Sequence, residues 1–290
     1  MVDGSFAHCD WYAGSVDVDI DRLIDALCQY LGTEVLELAT AHNGYKHAAQ
    51  LVADNIVYAT ISWGGVNPRP FVQSTGGVSE KVMHVLRRLP WPHTVSRMDS
   101  AIDFFGGTSF DTLVSIVLGI LDSHSFTGTV PRISQVGDWV HGQARTLYVG
   151  SRTSRCFVRV YEKTAERRAK GDTNVPDDWV RVELEYKPLN KAGKRELSTL
   201  TPEACWGASG WTRDVYAQIC VLDDVSPLTA PLPTKSKLAK AVTALFRQYG
   251  NTLNTVREQK PDDAAFCAWI LRALDCTDTQ EFEGILRDLQ

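Results

Sequence analysis

YVGSRTSRCFVRVYEK, residues Tyr148–Lys163, reads as strand, tight turn and strand. The first strand closes on Tyr148-Val149-Gly150, Gly150 to Ser154 supplies the turn, and the second strand runs from Arg155 to about Lys163. Side chains alternate along a strand with a period of two. Arg155, Phe157, Arg159, Tyr161 and Lys163 therefore share one face, and Cys156, Val158 and Val160 share the other. Cations two residues apart on one face repel unless something anionic lies between them. Two readings follow. One is a phosphate-binding strand with a nucleophilic tyrosine, Tyr161. The other is a solvated basic hairpin with a half-buried tyrosine, which the hairpin alone favours.

Two further segments share the pattern. HTVSRMDSAIDFF, from His93 to Phe105, alternates so that Arg97, Asp99, Ala101 and Asp103 face one way and Met98, Ile102 and Phe104 the other. Two carboxylates on one strand face destabilise each other unless a cation bridges them. That cation is either a divalent metal or Arg97 paired with Asp99. WVRVELEYK, from Trp179 to Lys187, puts Arg181, Glu183, Glu185 and Lys187 opposite Val182, Leu184 and Tyr186. If the three strands share a sheet, their ionic faces merge into one surface. It would hold Asp99, Asp103, Glu183 and Glu185 for a hard cation, Arg159 and Lys163 for phosphate, and Tyr161 as nucleophile. Those are the parts needed for metal-assisted phosphodiester chemistry.

Composition sets the limits. The chain has 290 residues, 44% of them hydrophobic, with eight Trp, which suffices for a folded core of one large or two smaller domains. A net charge of −5 argues against a polybasic nucleic-acid coat. The charge is uneven, however: between Arg145 and Lys170 eight cations face only Glu162 and Glu166. This focused basic patch suits a local anionic partner such as nucleic acid. Seven Cys, an odd number with no CxxC spacing and no clustering with His, suggest neither a disulfide framework nor a zinc site. With no signal-like start and no long apolar run, a reducing cytoplasm and no membrane partner are expected. The chain has no GxxxxGK[ST], no H-x-H pair, no HExxH and no GxSxG, so the bound-nucleotide and histidine-metal patterns are missing.

The other elements follow from capping and periodicity. A first strand is expected over Cys9–Asp19, then a helix capped by Asp19 and stopped by Gly32, with Ile20, Leu23, Ile24 and Leu27 inward. His42-Asn43-Gly44-Tyr45 marks a turn between strand-like runs, and Phe71-Val72-Gln73 forms another strand. Helices are expected from Ser79 to about Leu89, from Phe110 to Leu121 and from Thr201 to Ala217, with a short basic turn or helix over Ala165–Lys170. The Pro-rich stretch Leu222–Thr234 is the candidate linker. It divides a domain of residues 1–221 from a helical module of 235–290, with helices at Thr234–Tyr249, about Asp262–Leu274 and Thr279–Leu289.

YVGSRTSRCFVRVYEKTAER followed by WVRVELEYK, with SRMDSAIDF and GGVNPRPFVQSTGG upstream, resembles the initiator proteins of rolling-circle replication in the replication initiation factor family. The resemblance covers roughly Trp11 to Tyr216. It implies an α+β fold: a curved antiparallel β-sheet with helices packed on one face, as a duplicated saddle-like core, plus a C-terminal helical appendage. It implies that Tyr161 nicks one strand of origin DNA, leaving a 5′-phosphotyrosyl link and a 3′-hydroxyl primer, with Arg159 and Lys163 beside it. It also implies that acidic residues, here Asp99, Asp103, Glu183 and Glu185, hold a Mg or Mn ion. Arg145, Arg152, Arg155 and Arg167 are the expected DNA contacts. Single-stranded or hairpin origin DNA is the expected partner, with a host helicase and a homodimer also considered. The competing readings are a non-catalytic DNA-binding regulator and a tyrosine recombinase. The β-rich pattern disfavours the recombinase.

Overall fold

The computed structural model describes residues 7–124, 131–220, 250 and 252–275. Ten strands make one open sheet, antiparallel at every pairing, in the order β2-β3-β4-β5-β1-β6-β10-β9-β8-β7. The strands are β1 His8–Val16, β2 Glu34–Leu38, β3 His47–Ala53, β4 Ile56–Trp63, β5 Phe71–Thr75, β6 His93–Phe104, β7 Ile133–Asp138, β8 Gln143–Val149, β9 Cys156–Glu162 and β10 Val180–Tyr186. Among the described residues up to Cys220, the α-helices are α1 Ile20–Leu31, α2 Ser79–Arg88, α3 Phe110–His124, α4 Lys163–Ala169, α5 Lys191–Leu197 and α6 Gly210–Cys220.

The strand order is a duplication. Each half starts on a central strand, β1 or β6, and crosses by a helix, α1 or α3, to the outer edge. It then returns inward through four strands, the last of which pairs with the strand that began it. The two halves meet where β1 pairs β6.

Local chemistry places the helices. Asp19 accepts the Asp21 N–H at 3.0 Å to start α1, and Gly32 ends it in the left-handed region at φ 68°. Leu23, Leu27 and Leu31 form its buried stripe. The core lies between the helices and one sheet face. It joins those leucines, Val82, Met83 and Leu86 of α2 and Val117 of α3 to Tyr12, Met98, Ile102, Val158, Val160, Val182 and Leu184 of the strands. Burying each such side chain contributes roughly 1.5–3 kcal/mol. The opposite face of the sheet is left for function.

Several boundaries differ from the sequence expectation. The first strand ends at Val16, and the segment Ile133–Asp138 adds a third strand to the predicted hairpin. Lys163 is not on the strand but opens α4, so its side chain follows helical geometry. The single helix expected over Thr201–Ala217 is a 3-10 turn, Glu203–Ala208, followed by α6, because Ser209 is extended and caps the new helix through Thr212. α5 was not expected, since KAGKREL has no apolar periodicity; Asn190 starts it by accepting the Gly193 N–H at 2.8 Å. Contacts group the chain into two compact units, Met1–Leu232 and Pro233–Gln290. In the second, a helix spans Asp263–Asp275, near the expected Asp262–Leu274, and Arg257 pairs with Asp263 at 2.7 Å. The proposed linker and the helices expected at Thr234–Tyr249 and Thr279–Leu289 lie outside the described residues.

Candidate active site

The three ionic strands are neighbours, and their register superposes the charges. β6, β10 and β9 lie side by side; Asp99 is opposite Glu185, and Asp103 opposite Arg181. Across the next pairing Glu183 is opposite Arg159, and Arg181 opposite Tyr161. Because one register step would flip a strand's side chains to the other face, this pairing puts all the predicted site residues of the three strands on the outer face. On the corresponding face of the first half, Trp11 and Ser15 of β1 lie opposite Thr75 and Phe71 of β5.

The charges form two groups. In the first, Arg97 grips Asp99 with two hydrogen bonds, Nε to Oδ1 at 2.7 Å and NH2 to Oδ2, and reaches Glu185 Oε2 at 2.9 Å. Arg159 binds Glu183 and lies 3.6 Å from Asp99 Oδ2. Lys187 closes the group on Glu185. In the second, Arg181 binds both oxygens of Asp103 at 2.7 and 2.8 Å and Asp10 Oδ1 at 2.7 Å. The Trp179 indole N–H also donates to Asp103. The predicted acids are thus brought onto one face but not into one cluster: Asp99, Glu183 and Glu185 sit together, and Asp103 sits beyond Arg181. Among the described residues no group of three or more His, Cys, Asp or Glu converges as a metal site. Asp99 and Glu183 are the part of the set that suits a hard cation. Each is 1% exposed and offers only oxygen. Burial pushes the Asp99 pKa up, Arg97 opposes the shift, and the neighbouring Glu183 charge adds to it.

Tyr161 lies between the groups. Its hydroxyl donates to Glu183 Oε2 at 3.0 Å and accepts from Lys163 Nζ at 3.4 Å. Lys163 in turn pairs with Glu166 at 2.7 Å. The phenol is 9% exposed. Burial first, and the Glu183 charge second, hold its pKa above the ordinary range, against the pull of Arg181 and Arg159. A cavity of ≈ 240 Å³ opens beside it, lined by Arg145, Tyr148, Arg159 and Glu162.

The expected DNA contacts divide by partner. Arg145 is held by Glu162 at 2.9 Å and Asp111 at 2.8 Å, and Arg167 by Asp172 at 2.5 Å. Arg152 lies 5.9 Å from the Phe157 ring centroid, and Arg155 5.3 Å from that of Tyr186, whose hydroxyl it also binds at 3.1 Å; among the described residues neither has a carboxylate partner. Sequence alternation missed Asp10 and Trp11. A bulge between Cys9 and Trp11 breaks the period of two, so Asp10 reaches Arg181 while Trp11 lies under Arg97 at 4.0 Å. It also missed Tyr148, which stacks on Phe157 at 5.5 Å and fills the outer face beside Arg159.

Residues 93–193 match the model of the family described as Replication initiation factor. The matched span contains β6, β9 and β10, and with them both charge groups except Asp10. The structure is similar to that of the rolling circle replication initiator protein from Geobacillus stearothermophilus, with 18% identity and a TM-score of 0.50 over 69% of this chain and 82% of that one. At that identity the likeness is one of fold, an α+β architecture on a large open antiparallel sheet. No curated protein matches the chain.

Proposed function

We propose that the protein is a rolling-circle replication initiator that nicks and rejoins one strand of origin DNA through Tyr161. The observation that carries this reading is the Tyr161 hydroxyl itself. It is held by Glu183 at 3.0 Å and Lys163 at 3.4 Å, on a sheet face whose second half matches the replication initiation factor family.

The residues act as follows. Among the described residues Arg152 and Arg155 have no carboxylate to leave, so they take DNA phosphates. Arg159 meets the scissile phosphate beside the Tyr161 cavity. Glu183 Oε2 accepts the phenol proton, and Lys163 stabilises the phenolate that a buried tyrosine otherwise resists forming. The tyrosine oxygen bonds to phosphorus, the bond from phosphorus to the 3′ oxygen breaks, and the departing oxygen takes a proton from water. The products are a 5′-phosphotyrosyl link and a 3′-hydroxyl primer. The link conserves the bond, so rejoining is the same transfer in reverse. A Mg or Mn ion held by Asp99 and Glu183 would supply Lewis-acid charge to the scissile phosphate.

Tyr161→Phe tests the assignment. It is expected to abolish the covalent adduct with origin DNA while leaving non-covalent binding intact. Wild-type adduct formation by this variant would remove Tyr161 from the role. A non-catalytic DNA-binding regulator would use the same face as a grip, and would shift a supercoiled origin plasmid on a gel without nicking it.

A further inference from the structure

Away from Tyr161, at the far end of β1 and β6, a cavity of ≈ 690 Å³ opens on the outer side of the sheet. Its walls carry Arg69, Lys191, Lys194 and Arg195, with Tyr45 and Phe71 stacked at 6.1 Å between centroids and 23° between planes. Asp17 is the one acid among its lining residues. An adjoining cavity of ≈ 600 Å³ shares Asp17, Arg69, Thr94 and Arg195 and extends to Trp91. The floor of the larger cavity is the same outer face: Ser15 is opposite both Phe71 and Thr94. Thr94 is five residues from Asp99 along β6, about 17 Å at the strand rise.

The electrostatics of this groove differ from those of the charge groups around Tyr161. There Arg97, Arg145, Arg159 and Arg181 each have a carboxylate partner. Among the described residues, Arg69, Lys191, Lys194 and Arg195 form no ion pair and no side-chain hydrogen bond; Arg69 and Arg195 accept only through their backbone carbonyls. Four cations facing a shared groove with one acid repel each other, and the repulsion falls only when an anion enters. The stacked ring pair adds a flat surface suited to a base, which an acidic peptide would not need. The start of β9, beside the Gly150–Ser154 turn, lies close by in the chain's own bonding: the Lys187 N–H donates to the Arg155 carbonyl at 2.9 Å, four residues before α5 begins.

We propose that this groove is a second single-stranded nucleic-acid subsite, which binds phosphates through Arg69, Lys191, Lys194 and Arg195 and stacks a base on Tyr45 and Phe71. It rests on the reading of the protein as an origin-nicking initiator, and extends that reading by giving the strand a track from the nicking centre onto the first half of the sheet. The subsite is independent of the cleavage chemistry.

The test uses the full chain and labelled oligo(dT) of about 20 nucleotides, longer than a single site of about 4–16 nucleotides. The triple variant Arg69→Ala, Lys191→Ala, Lys194→Ala is expected to weaken binding about tenfold or more and to flatten the salt dependence by about 2, at about 0.7 per lost phosphate contact. Tyr45→Ala alone is expected to weaken binding about fivefold or more at unchanged salt slope. The triple variant should still form the covalent adduct with a short oligonucleotide spanning only the nick site. Unchanged affinity and slope in the triple variant overturn the proposal. So does a Tyr45→Ala variant that binds oligo(dT) like wild type while polyglutamate competes equally well against both, because the groove would then be a general anion site. Should Tyr161→Phe instead form adducts normally, the nicking assignment fails while the oligo(dT) result stands.

Discussion

Glu183→Gln is the most informative single change at the Tyr161 site. Glutamine keeps the shape and one acceptor oxygen but carries no charge and cannot take the phenol proton. In the wild type the Tyr161 hydroxyl donates to Glu183 Oε2 at 3.0 Å within a buried site, so the carboxylate is the base in reach. A positioned general base contributes about 10²–10⁴ in rate, equivalent to roughly 3–5 kcal/mol of barrier. Adduct formation on an origin oligonucleotide, followed in single-turnover gels, should slow by that factor. Binding of the same oligonucleotide, read by anisotropy, should hold within a few-fold, because Arg152 and Arg155 do not contact Glu183. Asp99→Asn is the companion. If Asp99 acts on the metal alone, raising Mg or Mn restores much of its lost rate, but not that of Glu183→Gln. Full restoration of the Glu183→Gln rate by metal, or an adduct rate equal to wild type, would refute the role of Glu183 as base.

Arg181→Met should unfold the protein more readily by about 3 kcal/mol, since it removes the guanidinium that binds both the half-buried Asp103 and Asp10; thermal melting should fall by roughly 6–12 °C. His93 gives a pH test. Burial, then Arg87, lowers its pKa from 6.5 to about 4, while its ring binds the Tyr12 hydroxyl at 2.7 Å. A depressed folded pKa means the unfolded chain binds the proton more readily, so the contribution is complete above pH 6.5 and is lost as pH falls from 6.5 towards 4. With the ring partly open to solvent the loss is about 2 kcal/mol, and urea titrations of wild type and His93→Gln across that window should converge at the acidic end. Chelation completes the set: adduct formation should stop in excess EDTA and return with Mg or Mn, and activity that survives EDTA would remove the metal from the mechanism.

How much of this was legible in the sequence follows from where the period of two held. It held on β6, β9 and β10, so the outward residues Asp99, Asp103, Arg159, Tyr161, Glu183 and Glu185 were assigned to the correct faces from the sequence alone. It failed where a strand bulges, and Asp10 and Trp11 were lost to that bulge. It failed also where a strand stops, and Lys163 became the first residue of a helix, still within 3.4 Å of the tyrosine because the turn folds it back. α5 was invisible because a seven-residue helix has little room for an apolar stripe, yet it supplies three of the four cations of the basic groove.

The sequence by itself determined which residues face outward, because alternation is a property of one strand's backbone. It determined the family resemblance too, because that resides in the order of short motifs. Partnership was decided only by the tertiary structure. Register chose Glu183 rather than Asp103 for Tyr161, gave Asp103 to Arg181, and turned cations that would repel along their own strand into ion pairs across strands. Charges on different strands meet only when the sheet forms, and those it leaves unmatched among the described residues, at Arg152 and Arg155 and around Tyr45 and Phe71, are still able to bind an anion.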